Sequence, residues 1–162
     1  MSGPARSISG TIEGVVPVIA AVVAAVLFAQ AMLRLRRRGR ADLAAAYAKE
    51  REQFGRPIAS FQAIQFALAD MATEIDAGRQ LVYRAAWLKD EGKPFALAAA
   101  QAKLYTGLVS NRVVNAALQI HGGYGFMEEF AISRLFRDQK ILEIGEGTNE
   151  VQRMVIAKHL GL

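Results

Sequence analysis

The sequence contains no cysteine among its 162 residues, and strand-forming runs are nearly absent after residue 40. The first absence excludes disulfides and thiolate metal sites, so any chemistry has to use carboxylates, amides, hydroxyls or a bound cofactor. Hydrophobic residues make up 52% of the chain and charged residues 22%, a composition that excludes a disordered tail. The length predicts one domain with a single core.

Residues 41–162 also lack a net charge, because 14 lysines and arginines balance 14 aspartates and glutamates. A surface that binds nucleic acid needs an excess of basic side chains, so we predict no nucleic-acid partner. The formal charge of +5 arises from five arginines between Arg34 and Arg40. The isoelectric point near 9.8 is therefore due to this arginine run and not to residues 41–162.

An uncharged segment of 19 residues, from Val15 to Leu33, precedes these arginines. A helix of this length nearly crosses a hydrocarbon core of about 30 Å. Because the arginines follow the segment, the positive-inside rule would place the remainder in the cytoplasm, tethered to the inner face of the membrane. Three interpretations stay open for residues 1–40: a membrane anchor, a buried segment, or an artefactual N-terminus read out of frame.

Glycine-rich breaks divide residues 41–162 into segments with helix-forming composition. Apolar residues spaced by three and four predict a long helix from an N-cap at Ser60 to about Glu91, with a close-packed partner at Gly78. An antiparallel second helix is predicted from about Phe95 to Ile120. Three more are predicted: one ending near Phe54, one from Phe130 to about Leu142, and one from about Asn149 to Leu160. The predicted fold class is all-α, an antiparallel bundle of helices.

Residues 145–150 read Gly-Glu-Gly-Thr-Asn-Glu. A carboxylate between two glycines can approach a ligand closely, and Thr148 or Asn149 is predicted to cap the last helix. The free amides at a helix start suit an anionic or electron-rich cofactor edge. An ordinary glycine turn with Glu146 in solvent accounts for the same residues, and local composition alone favours that simpler interpretation.

Residues 119–125, Gln-Ile-His-Gly-Gly-Tyr-Gly, contain more glycine than a helix end needs, which indicates a close approach to the backbone. No strand precedes them, so they are not a dinucleotide fingerprint. His121 and His159 lack a third ligand at usable spacing, so each is predicted to be a capping or surface histidine, and no metal site is predicted. The aromatic residues Phe66, Tyr83 and Trp87 are predicted to lie in the core or in an interface.

Four ordered motifs together are more specific than any one of them: YAKEREQFGRPI from Tyr47, FQAIQFALADM from Phe61, QIHGGYGF from Gln119 and RDQKILEIGEGTNEVQR from Arg137. On these motifs, the chain from Ala45 to Leu162 resembles the C-terminal helical domain of the acyl-CoA dehydrogenase family. The resemblance implies a four-helix domain and the FAD-dependent oxidation of the α,β bond of an acyl-CoA thioester, a reaction of fatty acid metabolism.

The same resemblance implies roles for individual residues. Glu146 matches the catalytic base, and Gly147 matches a substrate contact. In the family, part of the FAD contacts are made to the cofactor of a neighbouring subunit, so a homo-oligomer (dimer or tetramer) is implied, with an electron-transferring flavoprotein as electron acceptor. The positions that match FAD contacts are Arg51, Gln53, Phe54, Gln62, Gln119, Ile120, His121, Gly122, Gly123, Thr148, Asn149 and Glu150.

The resemblance does not include two further domains of the family, an N-terminal helical domain and a β-domain. We therefore predict that the chain is a fragment of such an enzyme, with residues 41–162 as its C-terminal domain. The alternative is a non-catalytic helical remnant that serves oligomerisation or interaction and binds no flavin. These two hypotheses differ in whether the chain contributes to a flavin site.

Overall fold

A computed structural model describes residues 40–162. Its helices are α1 (Arg40–Glu50), α2 (Gln62–Asp90), α3 (Ala96–His121), α4 (Gly123–Phe126), α5 (Ala131–Asp138), α6 (Ile141–Ile144) and α7 (Asn149–His159). Between α1 and α2 lie two antiparallel two-residue strands, β1 (Glu52–Gln53) and β2 (Arg56–Pro57), and a 3₁₀ turn (Ile58–Ser60). The prediction of a helical fold is confirmed, since strands account for only these four residues of the described part.

Helices α2 and α3 form an antiparallel pair. The guanidinium of Arg112 lies 2.8 Å from the carboxylate of Glu74, and Gly78 lies against Thr106. A later residue of α2 thus contacts an earlier residue of α3, as in an antiparallel pair. A Cβ added at Gly78 would lie 3.1 Å from the Thr106 methyl group, which confirms the close-packed partner predicted there. The apolar positions of α2 face this partner, because spacings of three and four residues place them on one side of the helix.

Helix α3 lies at the centre of the domain, and α1, α2, α5 and α7 all pack on it. Its own buried residues are mostly small, which lets the neighbouring helices approach closely. One buried cluster joins α1, α2, α3 and α5 through Ala44, Ala48, Met71, Val109, Val113, Val114, Ala117, Ile120 and Ile132. A second cluster joins the other ends of α2 and α3 through Val82, Ala85, Ala98, Ala99 and Ala102.

Two predicted helix boundaries are wrong. Ser60 does not cap α2, because it belongs to the 3₁₀ turn and its hydroxyl donates to the carbonyl of Pro57 at 2.7 Å; Phe61 is the N-cap. The first helix ends at Glu50 and not near Phe54, because the chain reverses there in a turn with positive φ at Phe54 (54°) and Gly55 (77°). That turn joins β1 to β2.

The helix predicted from Phe130 to about Leu142 is two helices, α5 and α6. Between them the backbone hydrogen bonds span three residues: Lys140 N–H donates to Arg137 and Leu142 N–H donates to Gln139. Such tighter 3₁₀ bonding interrupts the α-helical ladder.

The outer face of α2 carries the three aromatic residues for which a core or an interface was predicted. Phe66, Tyr83 and Trp87 are 59%, 53% and 52% exposed, so they do not belong to the core of this chain. An interface role stays a prediction. Among residues 40–162, no helix is long and apolar enough to cross a bilayer. The predicted anchor from Val15 to Leu33 lies outside the described residues.

Candidate functional site

The chain reverses between α6 and α7 in a turn of residues 145–148, here called the Glu146 turn. Glu146 is exposed and has a φ of 56°, and Gly147 follows with a φ of 85°. A left-handed backbone is unusual for a residue with a Cβ and costs about 1 kcal/mol or more, so surrounding contacts have to hold it. A strained carboxylate-bearing turn is therefore built into the domain.

Side chains of Thr148 and of the first turns of α7 stabilise the C-terminal end of the Glu146 turn. The hydroxyl of Thr148 accepts a hydrogen bond from the amide of Val151 at 3.3 Å, which makes Thr148 the N-cap of α7. The side-chain amide of Gln152 donates to the carbonyl of Gly147 at 3.1 Å. Asn149 is the first residue of the helix and is buried. Of the two caps that the sequence left open, the structure has Thr148.

A buried lysine lies beneath the turn. The ammonium of Lys103 donates to the carbonyl of Glu143 at 3.4 Å and to Oδ1 of Asn149 at 3.3 Å. Burial lowers its pKa below the ordinary 10.5, and three nearby carboxylates, those of Glu150, Glu143 and Glu146, offset part of that change. Sequence analysis missed Lys103. Its position among Ala99, Ala102, Thr106 and Gly107, on the small-residue face of α3, could have indicated burial.

Glu143 accepts hydrogen bonds from the ammonium of Lys140 and, at 3.0 Å, from the side-chain amide of Asn111. The bond from Lys140, then that from Asn111, lower the pKa of Glu143 below its ordinary value of 4.5. The carboxylate therefore ties α6 to α3 in its ionised form. A carboxyl group with a lowered folded-state pKa stabilises the fold above its ordinary pKa, and this contribution is lost as the pH falls through the lowered value.

We expect Glu143→Gln to lower the free energy of unfolding near neutral pH by up to about 1 kcal/mol, because the pair with Lys140 is partly exposed. The difference from the unsubstituted chain should shrink below about pH 4.5, where Glu143 becomes protonated in the unfolded chain and then in the folded one. Urea unfolding at neutral pH and at several acidic pH values measures it. Glu128→Gln, at an exposed ion pair with Arg137, is the control. A difference that grows in acid would contradict this assignment.

A second candidate site is an open pocket of about 640 Å³ at the C-terminal end of α3. Its lining residues are Tyr47, Arg51, Gln53, Ile58, Ile120, His121, Gly122, Gly123, Tyr124 and Met127. Six of the twelve positions predicted to contact FAD are among them. Tyr47, Ile58, Tyr124 and Met127 were not predicted, although all but Met127 lie inside the quoted motifs.

Aromatic rings form one wall of this pocket. The ring of His121 stacks on Tyr47 with centroids 4.3 Å apart, and Tyr124 packs on Phe130 at 5.3 Å. The guanidinium of Arg51 lies 5.4 Å from the centre of the Tyr124 ring. A cation beside flat aromatic surfaces suits a ligand with an aromatic ring and phosphate groups.

His121 is buried, so a surface position is wrong for it, but its bond to a carbonyl in the last turn of α3 agrees with the predicted capping role. Its Nδ1 donates to the carbonyl of Ala117 at 2.7 Å, and this bond leaves Nε2 as a hydrogen-bond acceptor when the ring is neutral. His159 is exposed in the last turn of α7, as predicted. Residues 40–162 hold no group of three or more His, Asp or Glu side chains that could bind a metal ion.

The glycines near the pocket differ in what surrounds them: two face open space, and one packs closely against α3. A Cβ added at Gly122 or Gly123 would meet nothing within 4 Å, so the backbone there is open to a ligand. A Cβ added at Gly125 would lie 2.6 Å from the carbonyl oxygen of Leu118, so Gly125 permits close packing against α3. The close approach that the glycine-rich segment predicted is thus partly to the protein itself, while Gly122 and Gly123 leave open space beside the backbone.

The remaining predicted positions lie outside the pocket lining. Phe54 is 92% exposed at the tip of the β1–β2 turn, with its ring 6.0 Å from that of Phe61. Gln62 begins α2 and Gln119 lies near the end of α3, and both are exposed. Thr148, Asn149 and Glu150 lie with Glu146 and Gly147 beside Lys103. Since Lys103 and His121 are about 27 Å apart along α3, the structure separates the predicted residues into two sites.

Comparison with known proteins gives a family match for most of the chain. A family model described as acyl-CoA dehydrogenase, C-terminal domain, matches residues 21–161. The match begins in front of residue 41 and includes part of the apolar segment and the arginine run. The family similarity therefore extends into the region for which the sequence left an anchor, a buried segment and an out-of-frame N-terminus open.

Individual relatives agree with the family match. A probable acyl-CoA dehydrogenase of Bacillus subtilis is 60% identical over 119 residues, which are 74% of this chain and 31% of that protein. A caffeyl-CoA reductase–Etf complex subunit of Acetobacterium woodii is 49% identical over 119 residues, again 74% and 31%. The structure of butyryl-CoA dehydrogenase from Megasphaera elsdenii matches with a TM-score of 0.86 and 44% identity, over 92% of this chain and 38% of that one. The chain thus spans about a third of the length of these relatives.

Proposed function

Because the chain belongs to the acyl-CoA dehydrogenase family, we propose that it provides the C-terminal helical part of an FAD-dependent enzyme that oxidises the α,β bond of an acyl-CoA thioester. The observation that carries this proposal is the Glu146 turn. It presents an exposed carboxylate from a left-handed backbone position, between two glycines that place no side chain in front of a ligand.

In the proposed reaction, Glu146 is the base. A side-chain oxygen of Glu146 accepts the proton from the α-carbon of the thioester, and the carboxylate becomes a carboxylic acid. When bound, FAD supplies the acceptor for the hydride that leaves the β-carbon, so that a double bond forms between the two carbons. Gly147 follows the base with no side chain, and we propose that the substrate lies against this part of the turn.

We propose that the pocket at the end of α3 holds part of FAD through Arg51, Gln53, Ile120, His121, Gly122 and Gly123. The charge of Arg51 and the open backbone at Gly122 and Gly123 support this assignment. Phe54, Gln62 and Gln119, which lie outside the pocket lining, would add further contacts to FAD. Thr148, Asn149 and Glu150 would meet FAD at the Glu146 turn.

The Glu146 turn and the pocket lie about 27 Å apart along α3, and this separation supports a homo-oligomer, a dimer or a tetramer. A base and a flavin have to meet the same substrate, so we propose that the pocket serves the FAD of one subunit and the Glu146 turn serves the site of another. For the electron acceptor we propose an electron-transferring flavoprotein, since the relative from Acetobacterium woodii is named as part of an Etf complex.

Flavin binding to the 162-residue chain tests the pocket. We expect FAD, added at high concentration to the ¹⁵N-labelled chain, to shift the backbone signals of Gly122 and Gly123 most strongly. Arg51→Gln should weaken this binding about tenfold, because a charged hydrogen-bond donor is lost. The matched control is Arg84→Gln, because Arg84 is exposed near the C-terminal end of α2 and does not line the pocket. Shifts confined to other regions, or equal weakening by both variants, would contradict the pocket assignment.

The alternative function is a non-catalytic helical interaction module that binds no flavin. The observation that favours it is the exposure of three aromatic side chains of α2, Phe66, Tyr83 and Trp87, since aromatic residues are enriched where one protein contacts another. The same titration separates the two functions, because this module should leave the Gly122 and Gly123 signals unchanged by FAD.

A further inference from the structure

Lys103 differs from every other lysine, arginine, aspartate and glutamate of residues 41–162, because it alone is buried, with 6% of its surface exposed. It lies in a part of α3 whose other buried residues include Ala99, Ala102 and Thr106. Placing an ammonium group in such surroundings is costly unless oxygen atoms are fixed around it. The position therefore requires acceptors that are held in place.

The two acceptors of Lys103 lie on opposite sides of the Glu146 turn. The carbonyl of Glu143 belongs to α6, before the turn, and Oδ1 of Asn149 belongs to the first residue of α7, after it. Both atoms are neutral, so neither removes the positive charge. One ammonium group therefore connects the two ends of a seven-residue segment whose middle contains Glu146.

The same segment rests directly on the backbone of α3 at Gly107, one helical turn beyond Lys103. A Cβ added at Gly107 would lie 3.1 Å from Oδ1 of Asn149 and 3.1 Å from the carbonyl of Leu142. Gly107 thus allows the segment to lie close, and Lys103 supplies two of the hydrogen bonds that hold it, one on each side of Glu146. A strained backbone such as that of Glu146 persists only where neighbouring contacts of this kind restrain it.

We propose that Lys103 is the positioning residue of Glu146: its ammonium group joins Glu143 to Asn149 and so holds Glu146 in the left-handed backbone conformation that presents its carboxylate. The importance of this for catalysis rests on the proposed function. The restraint itself is a property of the chain and can be measured without substrate or flavin.

Hydrogen exchange in the full 162-residue chain, followed by NMR, tests the restraint. Three amides with hydrogen bonds around the turn report on it: Gly145 to Ile141, Val151 to the Thr148 hydroxyl, and Gln152 to Thr148. We expect Lys103→Met, which keeps the length and removes the charge, to accelerate their exchange about tenfold and to change the φ-dependent coupling of Glu146. The core amide of Val114 should exchange as before.

Restoring the charge provides the rescue. The chain has no cysteine, so Lys103→Cys can be alkylated at this one position with 2-bromoethylamine in denaturant and then refolded. The product carries an ammonium group at nearly the length of lysine, and we expect slow exchange and the Glu146 coupling to return. Lys140→Met is the matched control, because Lys140 contacts Glu143 through its carboxylate from the exposed side and should change the three amides less than about twofold.

Unchanged exchange in Lys103→Met, or acceleration that is equal at Val114, would overturn the proposal, since the second result describes general loss of stability. If Lys103→Met does not fold, Asn149→Ala removes one acceptor instead and should accelerate the same three amides; unchanged exchange there would also overturn it. Failure of Glu146 as the base would leave all of these rates as expected, so the two proposals can fail separately.

Discussion

Glu146→Gln is expected to lower the oxidation of acyl-CoA by about a thousandfold, in any preparation of the chain that catalyses it. The amide has nearly the size of the carboxylate but cannot accept the α-proton. Flavin content should stay the same, because glutamine keeps the size and shape of the Glu146 side chain and leaves the proposed FAD contacts of Thr148, Asn149 and Glu150 and the pocket at the end of α3 unchanged. Turnover with a dye as electron acceptor, together with flavin absorbance, measures both properties.

The control for this experiment is Glu128→Gln, which removes an exposed carboxylate paired with Arg137 at 3.1 Å. We expect its turnover to equal that of the unsubstituted chain, because such surface pairs contribute little. Turnover of Glu146→Gln within twofold of this control would remove Glu146 from the mechanism. Loss of flavin together with activity would instead assign it a part in cofactor binding.

Gly125→Ala is expected to lower the free energy of unfolding by about 3 kcal/mol. The added methyl group would lie 2.6 Å from the carbonyl oxygen of Leu118 and 3.1 Å from Cβ of His121. Neither atom is the end of a flexible side chain, so the last turn of α3 has to move. A loss of this size is large beside the roughly 5–15 kcal/mol by which most domains are stable.

Gly123→Ala is the matched control for that substitution, because a Cβ at Gly123 meets nothing within 4 Å. We expect its stability to differ from that of the unsubstituted chain by less than about 0.5 kcal/mol. Urea unfolding followed by circular dichroism compares the two variants. Equal losses would show that the glycine-rich segment tolerates no side chain anywhere and that contact with α3 is not the reason.

Much of the fold follows from local pattern. The apolar residues of α2 recur at three and four residues, so one face is apolar whatever it packs against, and Met71, Gly78, Val82 and Ala85 are indeed buried. The short connection through Gly92 then places α3 antiparallel to α2. The N-cap at Ser60 was predicted wrongly, because a side chain that can cap a helix can equally bond to a preceding turn.

The candidate sites were predicted less completely. The motifs identified the residues of the Glu146 turn and of the pocket, but a motif carries no distance between its members. Only the length of α3 shows that they form two sites about 27 Å apart. The burial of His121 could not be deduced either, since it depends on Tyr47 of α1 stacking against its ring.

The absence of cysteine and of net charge in residues 41–162 already excluded thiolate chemistry and a basic nucleic-acid surface, because these depend on composition alone. The sequence also determined the helices and the family of the chain, through periodicity and ordered motifs. The tertiary structure decided what lies beneath Glu146. Lys103 is one of six lysines in the sequence. It becomes buried and joins Glu143 to Asn149 only because Gly107 lets the segment before α7 lie against α3 and cover its ammonium group.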